Sequence, residues 1–260
     1  MCAARVIVTR PAREGARWIA DLRRAGLDAV SLPLIAIEAV EGDPALDAAR
    51  RQASGCDALM FVSASAVEHF FREDVRDDDV RRARGVRFWC TGPGTARALR
   101  QSGVPPGSID EPAGPGVQFD SEALWAAVRS QVRPGARVLI VRGADATGRI
   151  AGRNWLAGEI VAAGAEVDEV ASYRRLPVLF GEPERRVVLD ASRGAAIWLF
   201  SSSEAIANLR AAEPALKWEA AKAVATHERI ASAAHDAGFV SVQVCRPTLP
   251  EIVASIESFS

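Results

Sequence analysis

The chain has 260 residues, 49% hydrophobic and 25% charged, and its 32 Lys and Arg against 33 Asp and Glu leave a formal net charge of -1. That composition belongs to a globular protein; it excludes a disordered chain and supplies no basic excess for nucleic acid. The length suits one large domain or two of ordinary size, and no apolar run approaches the ~18 residues of a membrane helix, so no membrane partner is expected.

Short apolar runs alternate with amphipathic stretches throughout, the pattern of βα units around a parallel sheet. RVIVTR is the first strand, the helix over REGARWIADLRRAG stops at Gly26, and DAVSLPLIAIEAV follows. That run is long for one strand, and Pro33 predicts that the chain leaves one sheet there and continues as a connecting ribbon. From Asp43 the pattern restarts with a helix, the strand DALMFVS, a helix after Ser65, the strand VRFWCTG and the helix GTARALRQSG. The segment VPPGSIDEPAGPG, residues 104–116, is too rich in Pro and Gly for regular structure and is expected to be a flap or a surface connection. FDSEALWAAV then holds a helix start that Asp120 or Ser121 caps, RVLIVRG is a strand, NWLAGEIVAAG a helix, and AEVDEVASYRRLPV a second long extended run. A helix over EPERRVVLDASR, the strands AAIWLFSS, KAVATH and SVQVC, and the helices between and after them complete the chain.

Two extended crossings, near residues 35–40 and 170–176, predict a domain of residues 37–173 inserted into an outer domain of 1–36 and 174–260 that holds both termini. An internal repeat supports two similar domains. ALMFVSASAVEHFF and AIWLFSSSEAIANL are the same strand, small-residue turn and helix written twice. FWCTGPGTARALRQSGV likewise aligns with AVATHERIASAAHDAGF, and RVIVTRPAREGARWIADLRRAGLDAV with RVLIVRGADATGRIAGRNWLAGEIVAAGAEV, in permuted order. Ligands of open parallel sheets bind beyond the carboxyl ends of the strands, so two such edges facing each other predict a cleft. Cys2, Cys56, Cys90 and Cys245 are scattered without a CxxC pair and read as reduced thiols; with no signal segment in MCAARVIVTR, a cytoplasmic location is expected.

The order and spacing of VIVTRP, LPLIAIE, FVSASAV, GPGTARAL, DSEAL, VLIVRG with GR five residues later, AEVDEVASYRR and PTLPEIVASI, over nearly the whole chain, resemble the uroporphyrinogen-III synthase family. The resemblance implies two flavodoxin-like parallel-sheet domains joined by a two-stranded β-ladder, one inserted into the other. It implies an enzyme of haem biosynthesis that removes the hydroxyl of linear hydroxymethylbilane as water and closes the ring with inversion of the last pyrrole, through a spiro intermediate. No metal or organic cofactor is implied. A monomer is expected, with transient hand-over of substrate from hydroxymethylbilane synthase.

Such a substrate carries eight carboxylates, so many donors are needed. The strand-to-helix turns at Ser63, Ala64 and Ser65, at Gly92 and Thr95, at Ser201, Ser202 and Ser203, and at His227 are expected to offer backbone N–H groups to it; as ordinary N-caps they need no ligand. Arg10 and Arg142, ending equivalent strands of the two repeats, with Gly143 and Arg149 beyond, are expected to add carboxylate recognition. Tyr173, the one tyrosine of the chain, stands where the family carries a tyrosine near its site. A phenol stays protonated at neutral pH and suits hydrogen-bond donation to the leaving oxygen; the alternative is a tyrosine packing the hinge.

Against other chemistry, His227 and His235 are eight residues apart and His69 lies in the other repeat, so no metal site is expected. GPGTARAL lacks the Gly-Lys-Ser/Thr of a phosphate loop. The chain departs from the family where THERI puts His227, Glu228 and Ile230 at the positions of Gly, Pro and Thr. That departure leaves a second reading, a catalytically weak homologue that binds a tetrapyrrole or another acidic ligand as a sensor or partner domain. A two-lobed solute-binding protein is a third, disfavoured by the missing signal segment.

Overall fold

In the computed structural model, which describes residues 5–71, 78–81, 85–114, 118–150 and 154–259, strands and helices alternate almost without exception. The chain opens with β1 (Arg5–Val8), α1 (Ala12–Arg24), β2 (Asp28–Ser31) and β3 (Ile35–Ala39). It continues through α2 (Pro44–Gln52), β4 (Ala58–Phe61), α3 (Ala64–Phe70), the single turn α4 (Asp78–Arg81), β5 (Arg87–Cys90) and α5 (Pro93–Gln101). Next come β6 (Ile109–Asp110), α6 (Ser121–Val128), β7 (Arg137–Ala144), α7 (Trp155–Ala162) and β8 (Glu166–Pro177). The last elements are α8 (Glu182–Ser192), β9 (Ile197–Phe200), α9 (Ser203–Ala212), β10 (Lys222–Ala225), α10 (Glu228–Asp236), β11 (Ser241–Val244) and α11 (Leu249–Glu257).

Contacts divide the chain into two units, Met1–Ala36 with Leu176–Ser260, and Ile37–Arg175. The sheet of the first unit has the order β11-β10-β9-β1-β2, all parallel. Counted along the chain this is 2-1-3-4-5, the flavodoxin-like doubly wound order. The second sheet runs β3-β8-β7-β4-β5-β6. Leaving aside β3, it repeats the same parallel order if counting starts at β7, so the second unit is a circular permutation of the first. The registers agree as well: Val6 pairs with Ile197 and Val8 with Leu199, as Val138 pairs with Ala58 and Ile140 with Met60. Pro33 lies between β2 in one sheet and β3 in the other, since a residue without an N–H cannot continue a ladder.

Alternation along the buried strands sets the layers. In the second unit Leu59, Phe61, Leu139, Val141 and Val170 pack on Leu46 of α2, Phe70 of α3 and Leu99 of α5. The other face places Met60, Val138 and Ile140 against Leu124 of α6 and Ile160 of α7. In the first unit Val6, Val8, Ile197 and Leu199 meet Ile19 and Leu22 of α1 and Ile252 and Ile256 of α11. Its opposite face is aromatic, with Trp198 stacked on Phe200 and Trp218 on Phe239.

Two expectations need correction. The helix expected after Ser65 begins at Ala64, because Ser63 is its cap and accepts from the Ala66 N–H at 3.0 Å. The Pro- and Gly-rich segment does hold regular structure: a 3-10 turn at Pro106–Ser108 and then β6, paired with β5. The cause is Arg87, whose guanidinium donates at 2.8 and 2.6 Å to the Asp110 carboxylate and at 2.7 Å to the Gly107 carbonyl. A charged fork at the sheet edge outweighs the chain-breaking composition. Residues 115 and 116 of that segment, and Cys2 near the start of the chain, lie outside the described residues.

Candidate active site

In the second unit β7 and β4 lie side by side where the strand order reverses, the place at which such sheets take ligands. β7 and β8 pair in step from Arg137 with Glu166 to Arg142 with Ala171, after which Gly143 pairs with Tyr173. Ser172 is therefore one residue too many on β8, a β-bulge. In a regular strand Ser172, not Tyr173, would share a face with Val170; the extra residue turns Tyr173 to that face too. Ser172 stays inside as well, its hydroxyl donating to the Ala66 carbonyl at 3.1 Å.

Tyr173 is 3% exposed and belongs to the core beneath α2, α3 and α5. Its hydroxyl lies 3.0 Å from Ser63 Oγ, the atom that also caps α3. Its ring lies against Gly143 so closely that a Cβ there would be 2.6 Å from Cζ and 2.9 Å from the phenol oxygen. The His69 ring is tilted nearby at 6.1 Å between centroids.

The other expected residues of this unit fall into two groups. Ala64 and Ser65 form the first turn of α3 beside Ser63, and Ser65 is buried. Gly92 caps the neighbouring α5 without a side-chain bond, and Thr95 is buried in its first turn. Arg142, however, points to the opposite face of the sheet from Tyr173. It is 5% exposed and donates to Asn154 Oδ1 at 2.9 Å and to both Glu169 oxygens at 3.3 and 3.2 Å, so its charge is matched within the unit. Arg149 is exposed on a tight turn in which Asp145 Oδ1 accepts from the N–H groups of Thr147 and Arg149. Those bonds, with Thr147 Oγ1 foremost, hold the Asp145 carboxyl below the usual range.

The first unit carries the remaining candidates. Arg10, just beyond β1, keeps 21% of its side chain exposed, lies over Trp18 at 5.1 Å and faces Glu14 at 3.6 Å. Enclosure lowers its pKa from the ordinary arginine value, and Glu14 opposes the shift. Ser201, Ser202 and Ser203 are partly exposed at the start of α9; Ser202 makes no side-chain cap bond, and the Ser203 hydroxyl oxygen is buried without a partner among the described residues. His227 caps α10, its Nδ1 accepting from the Arg229 N–H at 3.0 Å. The THERI departure thus supplies a side-chain cap where the equivalent Gly92 supplies none.

Sequence reasoning found Tyr173 and Ser63 separately but not their bond, because the bulge that joins them leaves no mark in composition or periodicity. It also missed Glu169 and Asn154 as partners of Arg142; the one available signal was the period of two along β8. The Cys90 thiol is pushed up to about 12 by burial and is no nucleophile at neutral pH. Among the described residues no three of His, Cys, Asp or Glu are grouped to hold a metal ion, and no helix is long and apolar enough to cross a membrane.

The sequence profile described as uroporphyrinogen-III synthase HemD matches residues 16–254. The chain belongs to the uroporphyrinogen-III synthase family. A uroporphyrinogen-III synthase of Chlorobaculum parvum is 26% identical over 183 residues, which are 69% of this chain and 67% of that one. Among solved structures, the synthase of Helicobacter pylori matches 99% of this chain and 100% of its own at a TM-score of 0.62 and 13% identity. A variant of the Thermus thermophilus synthase matches 99% and 97% at a TM-score of 0.58 and 20% identity. At those identities the likeness is one of fold, and it extends to both units.

Proposed function

We infer that the protein is a uroporphyrinogen-III synthase, a cyclising lyase that converts linear hydroxymethylbilane to uroporphyrinogen III with loss of water and inversion of ring D. One observation besides the family supports this reading: the Tyr173 and Ser63 hydroxyls lie 3.0 Å apart beyond the carboxyl end of β4, within the unit and beside the start of α3. The pyrrole nitrogen of the terminal ring pushes out its hydroxymethyl oxygen, and Tyr173 donates a proton to that oxygen so that it leaves as water. The resulting azafulvene carbon bonds to the substituted carbon of the last ring, giving the spiro intermediate that rearranges to the inverted product. The proton released when the ring regains aromaticity returns to the phenolate, so the enzyme is unchanged and one water is lost overall. Hydroxymethylbilane also closes without inversion, so steering outweighs acid catalysis: proximity and shape decide which carbon is attacked.

For the substrate carboxylates we assign the N–H groups at the starts of α5, α9 and α10, with Gly92, Thr95, Ser201, Ser202, Ser203 and His227, together with Arg10 and Arg149. Arg142 already answers Glu169, so it serves to tie β7 to the segment at Asn154. A cytoplasmic location and direct hand-over from hydroxymethylbilane synthase belong to the same proposal; the reactivity of the bilane in water supports the hand-over.

The test is to generate hydroxymethylbilane in situ with the purified protein present, oxidise the products and separate the type I and type III uroporphyrins. Type III is expected. Type I alone from folded protein would leave the ligand-binding homologue as the reading.

A further inference from the structure

Gly143 is the next-to-last residue of β7, at the register shift, and a glycine paired in a ladder marks a bulge or a place at which another group comes close. Its backbone is not in the left-handed region, so the residue is not explained by conformation. Space explains it: all three nearest atoms to a Cβ built there, at 2.6, 2.7 and 2.9 Å, belong to the Tyr173 ring and hydroxyl. The ring has little freedom to give way. Its backbone is paired to β7, Ser172 on one side is bonded to α3, and its oxygen is held at 3.0 Å by Ser63, which is itself fixed by the Ala66 N–H.

We propose that Gly143 and Ser63 are positioning residues that fix the Tyr173 phenol at one point of the sheet edge, Gly143 by omitting the atom that would swing the ring away and Ser63 by holding the oxygen. This rests on the synthase reading and adds to it a role that acts through another side chain. Any β-carbon at position 143 moves the phenol oxygen off Ser63, because the ring must turn about its own Cβ to escape a contact below 3.0 Å.

The experiment compares Gly143→Ala in the unmodified protein and in Tyr173→Phe, scoring turnover and the ratio of type III to type I product. Phenylalanine keeps the ring carbons that meet the new methyl group and lacks only the hydroxyl. With the phenol present, Gly143→Ala is expected to lower turnover about tenfold to a hundredfold; in Tyr173→Phe the further loss is expected below about threefold. Since Tyr173 is the one tyrosine, labelling tyrosine with 13C at Cζ gives a single resonance, and Gly143→Ala is expected to shift it in folded protein. Equal losses in both backgrounds, or lost turnover with an unmoved resonance, would overturn the proposal. Should Gly143→Ala not fold, Ser63→Ala makes the same comparison without adding an atom, and equal losses with and without the hydroxyl count against the proposal in the same way. Type I product alone from the unmodified protein sinks the synthase reading itself; type III from it with equal Gly143→Ala losses sinks only the positioning role.

Discussion

The two units share strand order and register, yet they differ at the turn where each sheet reverses. In the second, Ser63 caps α3 and holds Tyr173. In the first, the equivalent Ser202 caps nothing through its side chain, and beyond β2 the buried Leu34 offers its carbonyl to Asn208 at 2.9 Å. The repeated scaffold therefore shares its helix starts but not the side-chain bonds made there. The copied parts are backbone groups that any sequence with this fold supplies. What the second copy adds is a side-chain contact: Tyr173 set 3.0 Å from Ser63 and lying against Gly143.

The largest expected effects bear on the shared scaffold. Phe61 and Phe200 are equivalent and both fully buried; truncation of either to alanine should cost about 3–5 kcal/mol. In calorimetry each variant is expected to lower the melting of its own unit, and an identical shift of one shared transition would show that the units are not separately cooperative. Next comes Tyr173→Phe, expected to reduce turnover about a hundredfold, or about 2.7 kcal/mol, with circular dichroism unchanged. Turnover within about threefold of the unmodified protein would remove the chemical asymmetry between the halves.

The caps offer a finer comparison. Ser63→Ala should lower stability by about 1 kcal/mol and Ser202→Ala by no more than a few tenths of that, read from urea midpoints; equal effects would mean that the two turns are alike after all. The smallest effect concerns acid. Asp57, just before β4, accepts from the Arg137 N–H and from Arg133, which hold its carboxyl below the usual range, while the first unit has Ala196 at that position. A lowered folded-state pKa stabilises above the unfolded value of about 4 and is lost as pH falls through the folded value. Asp57→Asn is therefore expected to cost less than about 1 kcal/mol at pH 7, the pair being screened by solvent, and progressively less as the pH falls below the unfolded value. A cost that grows on acidification would contradict the assignment.

Much of this molecule is legible along the chain because its signals are local. Apolar strands of four residues, a proline where the chain changes sheets, Asp120 ahead of α6 and the repeated turn all act within a few residues of themselves, so the doubly wound class and the permuted repeat can be read directly. Where two local rules compete, that legibility ends: composition argues for loop at residues 104–116, and a fork from Arg87, twenty or more residues away in sequence, makes a strand. The site shows the same limit. Tyr173 stands out as a residue, but which way it points depends on one extra residue in the pairing of β7 with β8, and register is a property of two strands together. Arg142 ends the expected strand, yet which group it answers is settled by Glu169 across the ladder. Elements, their order and the chemical inventory follow from the residues in line. Which face each side chain takes and which partner it meets come only with folding, because pairing register and burial arise between segments distant along the chain.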